Sequence, residues 1–187
     1  MDFRLLMACT TVLPPTNAED CDYELNFGEI NALLFTEEGD GLTNWSSATE
    51  WNTRIDNTTA YTNQNPAPIR VLFGIGGLGA PERGSIKISR RRTAYLSPKF
   101  SFVFQVEDTS DTNWAFMRAL PDGGQTYSGW LATESKLFGG NSGIKMTIVA
   151  DPNIPESIDE LMKINVTVSF EGSIPNMIDL PAITALS

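Results

Sequence analysis

The segment Lys99–Val106 constrains the fold of this chain more than any other. Its sequence, KFSFVFQV, alternates polar and apolar residues. In an extended strand this period of two places the rings of Phe100, Phe102 and Phe104 on one face. The segment therefore predicts a β-strand with one apolar face.

Other short segments predict further strands because they alternate or form apolar runs bounded by turn residues. They are residues 24–35, Ile69–Phe73, Ser85–Ser89, Ser128–Thr133, Ile144–Ala150 and Asn165–Phe170. The regular alternation of strands and helices that marks a parallel doubly wound sheet is absent. The sequence therefore predicts a mainly β fold, an antiparallel β-sandwich or barrel.

One segment changes period and predicts a helix. Trp114, Met117 and Leu120 recur at three-residue spacing, so they share one helix face that can pack on a sheet. Ser110 or Asp111 can cap this helix, and the sequence PDGG at 121–124 ends it. A second, shorter helical turn is expected at 154–161.

The domain prediction is a single β-rich domain with extended N- and C-terminal arms. Its 187 residues fit one domain and are enough to bury a core. We assign 1–23 to an N-terminal arm, 24–170 to the β-rich domain and 171–187 to an apolar C-terminal tail. The domain includes a Thr-, Asn- and Ser-rich excursion at 43–68, and loops this long often carry function.

Composition excludes several kinds of chemistry. The chain has no histidine, so it has no Ser-His-Asp or Cys-His nucleophile pair and no histidine-ligated zinc. Its 13 Lys and Arg against 23 Asp and Glu give a net charge of -10, which argues against binding nucleic acid through the overall field. No apolar run approaches the roughly 20 residues that cross a bilayer. We expect no enzyme activity and no cofactor.

The two cysteines, Cys9 and Cys21, lie outside any C-x-x-C motif. A disulfide between them requires an oxidising compartment, and we expect free thiols.

The sequence Gly74–Gly79, GIGGLG, matches the dinucleotide fingerprint G-x-G-x-x-G and follows a predicted strand. That chemistry needs a helix to begin at the third glycine, so that its N-terminus holds a pyrophosphate. Here the chain returns to a strand. We therefore interpret the segment as a glycine-rich turn between antiparallel strands, one that can also pack closely against a neighbouring subunit.

Charged clusters suggest pairing rather than catalysis. Arg90, Arg91 and Arg92 form one dense basic run, which we expect to pair with acidic groups within or between subunits rather than with nucleic acid. The sequence EEGDG at 37–41 has oxygen ligands that calcium accepts, but it lacks the rest of an EF-hand loop, so solvated turns are the favoured interpretation. The chain has many carboxylates, and nothing singles out a glycosidase pair.

Trp114 belongs to the predicted helix and to a core, whereas Trp45 and Trp51 lie in the polar excursion. The residues expected at interfaces are Trp45, Trp51 and Tyr61 of the excursion, Gly76, Arg90, Arg91 and Arg92, and Ile174, Met177, Ile178 and Leu180 of the tail. An apolar tail of this kind must dock either on its own domain or on a neighbour.

Together these features resemble the structural proteins of tailed-bacteriophage virions, specifically tail-tube and neck-ring subunits. The resemblance covers about residues 24–170 and includes the sheet-then-helix unit KFSFVFQVEDTSDTNWAFMRAL at 99–120. It implies a virion subunit that self-assembles into rings through sheet extension and arm exchange, with no catalytic residue. It also implies neighbouring virion proteins as partners, DNA at most passing through without specific binding, and no membrane. The alternatives are a capsid-decoration protein or a carbohydrate-binding β-sandwich module that uses Trp45 and Trp51, and a histidine-free hydrolase.

Overall fold

The alternating segment Lys99–Val106 forms a strand over the predicted residues, and its residues are alternately exposed and buried. The structure is a computed structural model that describes residues 28–55, 66–120, 125–153, 162–173 and 175–186. The predictions for the arm at 1–23, for Cys9 and Cys21, for Tyr61 and Ile174, and for the helical turn at 154–161 lie outside those residues.

Ten strands and two α-helices make up the described chain. The strands are β1 (Glu29–Glu37), β2 (Arg70–Gly77), β3 (Ser85–Ser89), β4 (Arg92–Tyr95), β5 (Lys99–Val106), β6 (Thr126–Ala132), β7 (Lys136–Gly139), β8 (Ile144–Asn153), β9 (Lys163–Glu171) and β10 (Asn176–Asp179). The helices are α1 (Ala48–Ile55) and α2 (Asp111–Ala119), and a 3-10 helix spans Thr184–Leu186.

Six strands close into an antiparallel barrel in the order β1-β2-β5-β9-β8-β6, because β6 pairs back with β1. β7 and β10 extend the sheet beyond β6, and β3 and β4 form a separate two-stranded hairpin. The predicted mainly β, antiparallel fold is confirmed as a barrel.

The barrel interior is filled by one residue in two from each strand, as the period of a β-strand requires. Phe100, Phe102 and Phe104 of β5 lie there, and the Phe100 ring stacks on Phe170 of β9 at a centroid distance of 4.7 Å. The predicted helix is confirmed as α2, with Ser110 at its N-cap position. Helix α2 packs Trp114 and Met117 against the core inside the barrel.

A second core covers the outer face of β1 and β6. Leu34 of β1 pairs with Trp130 of β6, and both side chains are fully buried. Trp51 of α1 packs edge-on against Trp130, with ring centroids 5.1 Å apart. Ile183 from the C-terminal segment closes the same cluster. Both faces of β1 are therefore buried, which explains its nearly continuous apolar sequence.

Helix α1 was not predicted, because its Thr- and Asn-rich sequence has low intrinsic helix propensity. Side-chain hydrogen bonds hold the chain that leads into it. The Glu50 carboxylate accepts the backbone N–H groups of Thr43 and Asn44 at 2.7 and 2.9 Å. The indole N–H of Trp51 donates to the Trp45 carbonyl at 2.7 Å. The excursion is thus partly helical rather than irregular.

Candidate assembly surface

The hairpin of β3 and β4 is the segment of the described chain that packs least on the rest of the molecule. Every residue from Ser85 to Tyr95 is exposed except Ala94, which is half-buried. The strands pair only with each other, with Ser85 opposite Tyr95 and Ile86 opposite Ala94. A two-stranded hairpin with no apolar face covered is marginally stable in water.

The base of the hairpin is tied to the barrel by main-chain hydrogen bonds. Glu82 and Lys99 exchange two bonds of 2.8 and 2.9 Å, and the Leu96 N–H donates to the Gly84 carbonyl at 2.9 Å. The Lys99 ammonium lies 2.8 Å from the Glu171 carboxylate, and this hydrogen bond raises the pKa of Lys99. The hairpin therefore extends from the connection between β2 and β5 at a defined position.

Large apolar side chains lie exposed on this hairpin. Ile86 is 54% exposed, Ile88 is 64% exposed and Tyr95 is 78% exposed. Leu96, at the base, is also exposed. Single exposed apolar residues are ordinary on protein surfaces, whereas four within eleven residues make this hairpin a candidate interaction site. We name residues 85–96 the hairpin surface.

The hairpin also carries a charge opposite to that of the rest of the chain. Arg90 and Arg91 form its turn and Arg92 begins β4, so the predicted basic run lies at a fully exposed tip. Five of the 13 basic residues fall between Arg83 and Arg92, and no acidic residue occurs from 83 to 98. The remaining residues carry eight basic side chains against 23 acidic ones, a net charge of -15.

A second exposed apolar group lies on the outer face of the barrel. Phe73 and Ile75 of β2 point outward and are about half exposed, and so is Val103 of β5. Because Ile75 pairs with Gln105 and Gly76 with Phe104, Val103 is a diagonal neighbour of Ile75. We name Phe73, Ile75 and Val103 the β2–β5 patch. The sequence analysis missed it, because a strand pattern does not show which outward residues stay uncovered.

Of the two tryptophans predicted at interfaces, the structure places Trp51 inside the molecule and leaves Trp45 half-buried. Trp51 has no exposed surface and fills the second core, and Trp45 is half-buried beside it, so these two rings do not form an open sugar-stacking platform. Gly76 lies within β2 rather than in a turn. A Cβ there would lie 2.9 Å from the Phe104 ring, so its close approach is to β5 of its own chain.

The first four residues of the glycine-rich sequence at 74–79 therefore belong to strand β2, contrary to the predicted turn, and β2 ends at Gly77. A Cβ on Gly74 would lie 2.2 Å from the Gln105 carbonyl oxygen, so glycine is needed where β2 crosses β5. No helix begins after Gly79 in the described stretch 66–98. The segment therefore lacks the helix N-terminus that a dinucleotide site requires.

The described part of the tail docks on its own chain. β10 pairs with β7, and Lys136 lies 2.7 Å from the Asp179 carboxylate. The Thr184 N–H donates to the Asn52 side chain at 2.8 Å, which joins the tail to α1. Of the tail residues predicted at interfaces, Met177 is half exposed, whereas Ile178 and Leu180 are partly buried against the second core.

Arg54 is a buried charge that the sequence analysis did not single out. Its guanidinium donates to the carbonyl oxygens of Ala67, Gly41 and Asp40 and to the Thr36 hydroxyl, at 2.5 to 3.4 Å. Burial lowers the pKa of Arg54, and the nearby carboxylates of Asp40 and Glu50 oppose that shift. Arg54 therefore joins α1, β1 and the chain entering β2.

The acidic sequence at 37–41 serves structural contacts. Glu38 forms an ion pair with Lys145 and accepts a hydrogen bond from Thr126. These contacts lower the pKa of Glu38, with the Lys145 hydrogen bond as the larger cause. The Asp40 carboxylate accepts the Ala67 N–H at 3.1 Å. Among the described residues, no group of three or more Cys, Asp or Glu side chains is placed to hold a metal ion.

A cavity of about 560 Å³ lies between α2 and the barrel, among Phe35, Phe116, Leu120 and Tyr127. Burial raises the pKa of Tyr127. Among the described lining residues, Glu37 is the single carboxylate, whereas a glycosidase-type site needs two. This cavity brings together no recognisable catalytic set among those residues.

No protein-family model, curated protein or solved structure matches this chain. Within the described ranges, no helix is long and apolar enough to cross a membrane.

Proposed function

We propose that this chain is a self-assembling structural subunit of a phage virion, of the tail-tube or neck-ring type. The observation that carries the assembly part of the proposal is the hairpin surface, a protruding element with exposed apolar side chains on a marginal two-stranded sheet. The virion part is supported by the resemblance of the sequence pattern alone.

Assembly would cover both the exposed apolar side chains and the unpaired strand edges of the hairpin. Packing Ile86 and Ile88 of β3 against another subunit would remove apolar area from water, and each Å² removed is worth about 25 cal/mol. Main-chain pairing along β3 or β4 with a neighbouring strand would cover an unpaired edge. Both strands of the hairpin have a free edge among the described residues, so sheet extension can use either of them.

The excursion and the tail contribute less to the contact between subunits in this proposal than the sequence pattern implied. Their described residues hold α1 and β10 against the second core of the same chain. Arm exchange through these segments would have to rebuild, on a neighbouring copy, the contacts that bury Ile183 and Trp51 within one chain here. We therefore assign the intersubunit contact to the hairpin.

Negative-stain electron microscopy of the purified protein, with light scattering to measure mass, tests this function. We expect rings or stacked rings at high protein concentration, and masses that are multiples of 20.5 kDa. Ile86→Ser combined with Ile88→Ser should reduce the assembled fraction, whereas Met177→Thr, a change at an equally exposed residue on β10, should not. A wild-type protein that stays monomeric at all concentrations contradicts the proposal.

A further inference from the structure

Two apolar surfaces of this chain are exposed at the same time and do not cover each other. The hairpin surface extends from the connection between β2 and β5, and the β2–β5 patch lies on the outer face of the same two strands. We propose that the hairpin surface of one copy docks on the β2–β5 patch of a second copy. This inference rests on the proposed function and names the surface that receives the hairpin.

The two surfaces match in chemical character. The hairpin offers the aliphatic side chains Ile86 and Ile88, and the patch offers Phe73, Ile75 and Val103, each about half exposed. Contact between them would bury large apolar side chains from both partners at the centre of the interface. A few side chains buried at the centre of an interface supply most of its affinity.

The charges around the two surfaces are also complementary. The segment from Arg83 to Arg92 carries five positive charges, and the rest of the chain has a net charge of -15. Exposed carboxylates lie beyond both ends of the patch. Glu29 is opposite Gly77 at the end of β2, and Glu107 follows the last residue of β5, where Lys163 lies 3.7 Å away. A second copy is therefore an attractive partner for the basic hairpin.

The proposed contact is heterologous, because it joins two different surfaces of the same chain. Each copy keeps one free hairpin and one free patch after it binds a neighbour. Repeating the contact generates a ring if the rotation closes and an open filament if it does not. The geometry therefore leads to an assembly of many copies rather than to a two-fold dimer.

Mixing two variants tests the proposed contact. The hairpin variant carries Ile86→Ser and Ile88→Ser, and the patch variant carries Phe73→Thr and Ile75→Thr. All four side chains are exposed, and Thr suits a strand, so both variants should fold. At concentrations where wild type assembles, each variant alone should be monomeric. Assembly of either variant alone should need a protein concentration at least about tenfold higher than wild type needs.

An equimolar mixture should form a 1:1 heterodimer of about twice 20.5 kDa and nothing larger. The intact hairpin of the patch variant would dock on the intact patch of the hairpin variant, and the other two surfaces would be inactive. Sedimentation velocity measures these masses, and a heterodimer also shows that both variants are folded. Met177→Thr serves as the matched control and should assemble like wild type.

The results separate this inference from the proposed function. If wild type assembles and the hairpin variant does not, but the patch variant assembles normally, the hairpin docks elsewhere and the inference is wrong. A mixture that stays monomeric overturns it in the same way. If wild type itself never assembles, the proposed function fails, and this inference fails with it.

Discussion

Replacing Arg54 by Met should destabilise the protein strongly, because the guanidinium is buried and makes five hydrogen bonds to four residues. Met preserves most of the apolar stem but donates no hydrogen bond. The Ala67 carbonyl keeps a contact from the Thr36 hydroxyl at 3.4 Å. The carbonyl oxygens of Gly41 and Asp40 lose their side-chain donor.

The expected cost follows from those lost contacts. A buried acceptor left without its donor costs about 1–3 kcal/mol, and two such carbonyls are affected. Because both contacts are only partly buried, water can replace some of the loss, and we expect about 2–4 kcal/mol in the free energy of unfolding. For a chain of this size that corresponds to a fall in Tm of roughly 5–15 °C.

Urea unfolding monitored by tryptophan fluorescence measures this change, with Arg118→Met as the matched control. Arg118 is exposed on α2, so its replacement should alter stability by less than about 0.5 kcal/mol. If Arg54→Met is as stable as Arg118→Met, then the buried guanidinium does not hold α1 to the barrel and this reasoning is refuted.

Three other predictions test the fold. Gly74→Ala should cost about 1–3 kcal/mol in urea unfolding, because its Cβ would meet the Gln105 carbonyl, whereas Gly77→Ala, with no atom within 4 Å, should change stability little. Trp51→Ala should cost about 3–5 kcal/mol by the same measurement, since the ring is fully buried; a near-neutral result would contradict its place in the second core. The folded-state pKa of Glu38 is depressed, so its stabilising effect is present above the ordinary pKa of about 4.3 and is lost as pH falls through the lowered value. Urea midpoints between pH 3 and 7 should therefore depend less on pH in Glu38→Gln than in wild type, and identical profiles would contradict the ion pair with Lys145.

Strands with a strict period were predictable from the sequence alone. Lys99–Val106 and Ser85–Ser89 have the predicted bounds, because alternation reports the two faces of a strand directly. The glycines of β2 predict a turn, because glycine usually interrupts strands. Here Gly74 and Gly76 make room for the backbone and ring of β5, which is a contact between distant segments. Local sequence contains no signal for such a contact.

The candidate surface was only partly predictable. The three arginines were recognised as an exposed basic run, and they lie at the hairpin tip. The alternation of Ser85–Ser89 predicts a strand equally well whether Ile86 is buried or exposed, so the exposure of the hairpin required the structure. The polar residues around Trp51 in the sequence predict an interface position. In the structure, the Trp51 ring instead packs against Trp130 in the second core, and the local sequence does not show that contact.

Hydrogen–deuterium exchange of the wild-type protein, at dilute and at assembling concentrations, tests most directly that the hairpin is the assembly contact. In the monomer, the amides of Ser85–Tyr95 should exchange quickly, because only the hairpin's own strand pairs protect them. In the assembled protein these amides should become strongly protected, while the exchange rates of the amides of β9, a strand of the barrel wall, stay unchanged. Assembly that leaves the hairpin amides exchanging as fast as in the monomer would contradict the account.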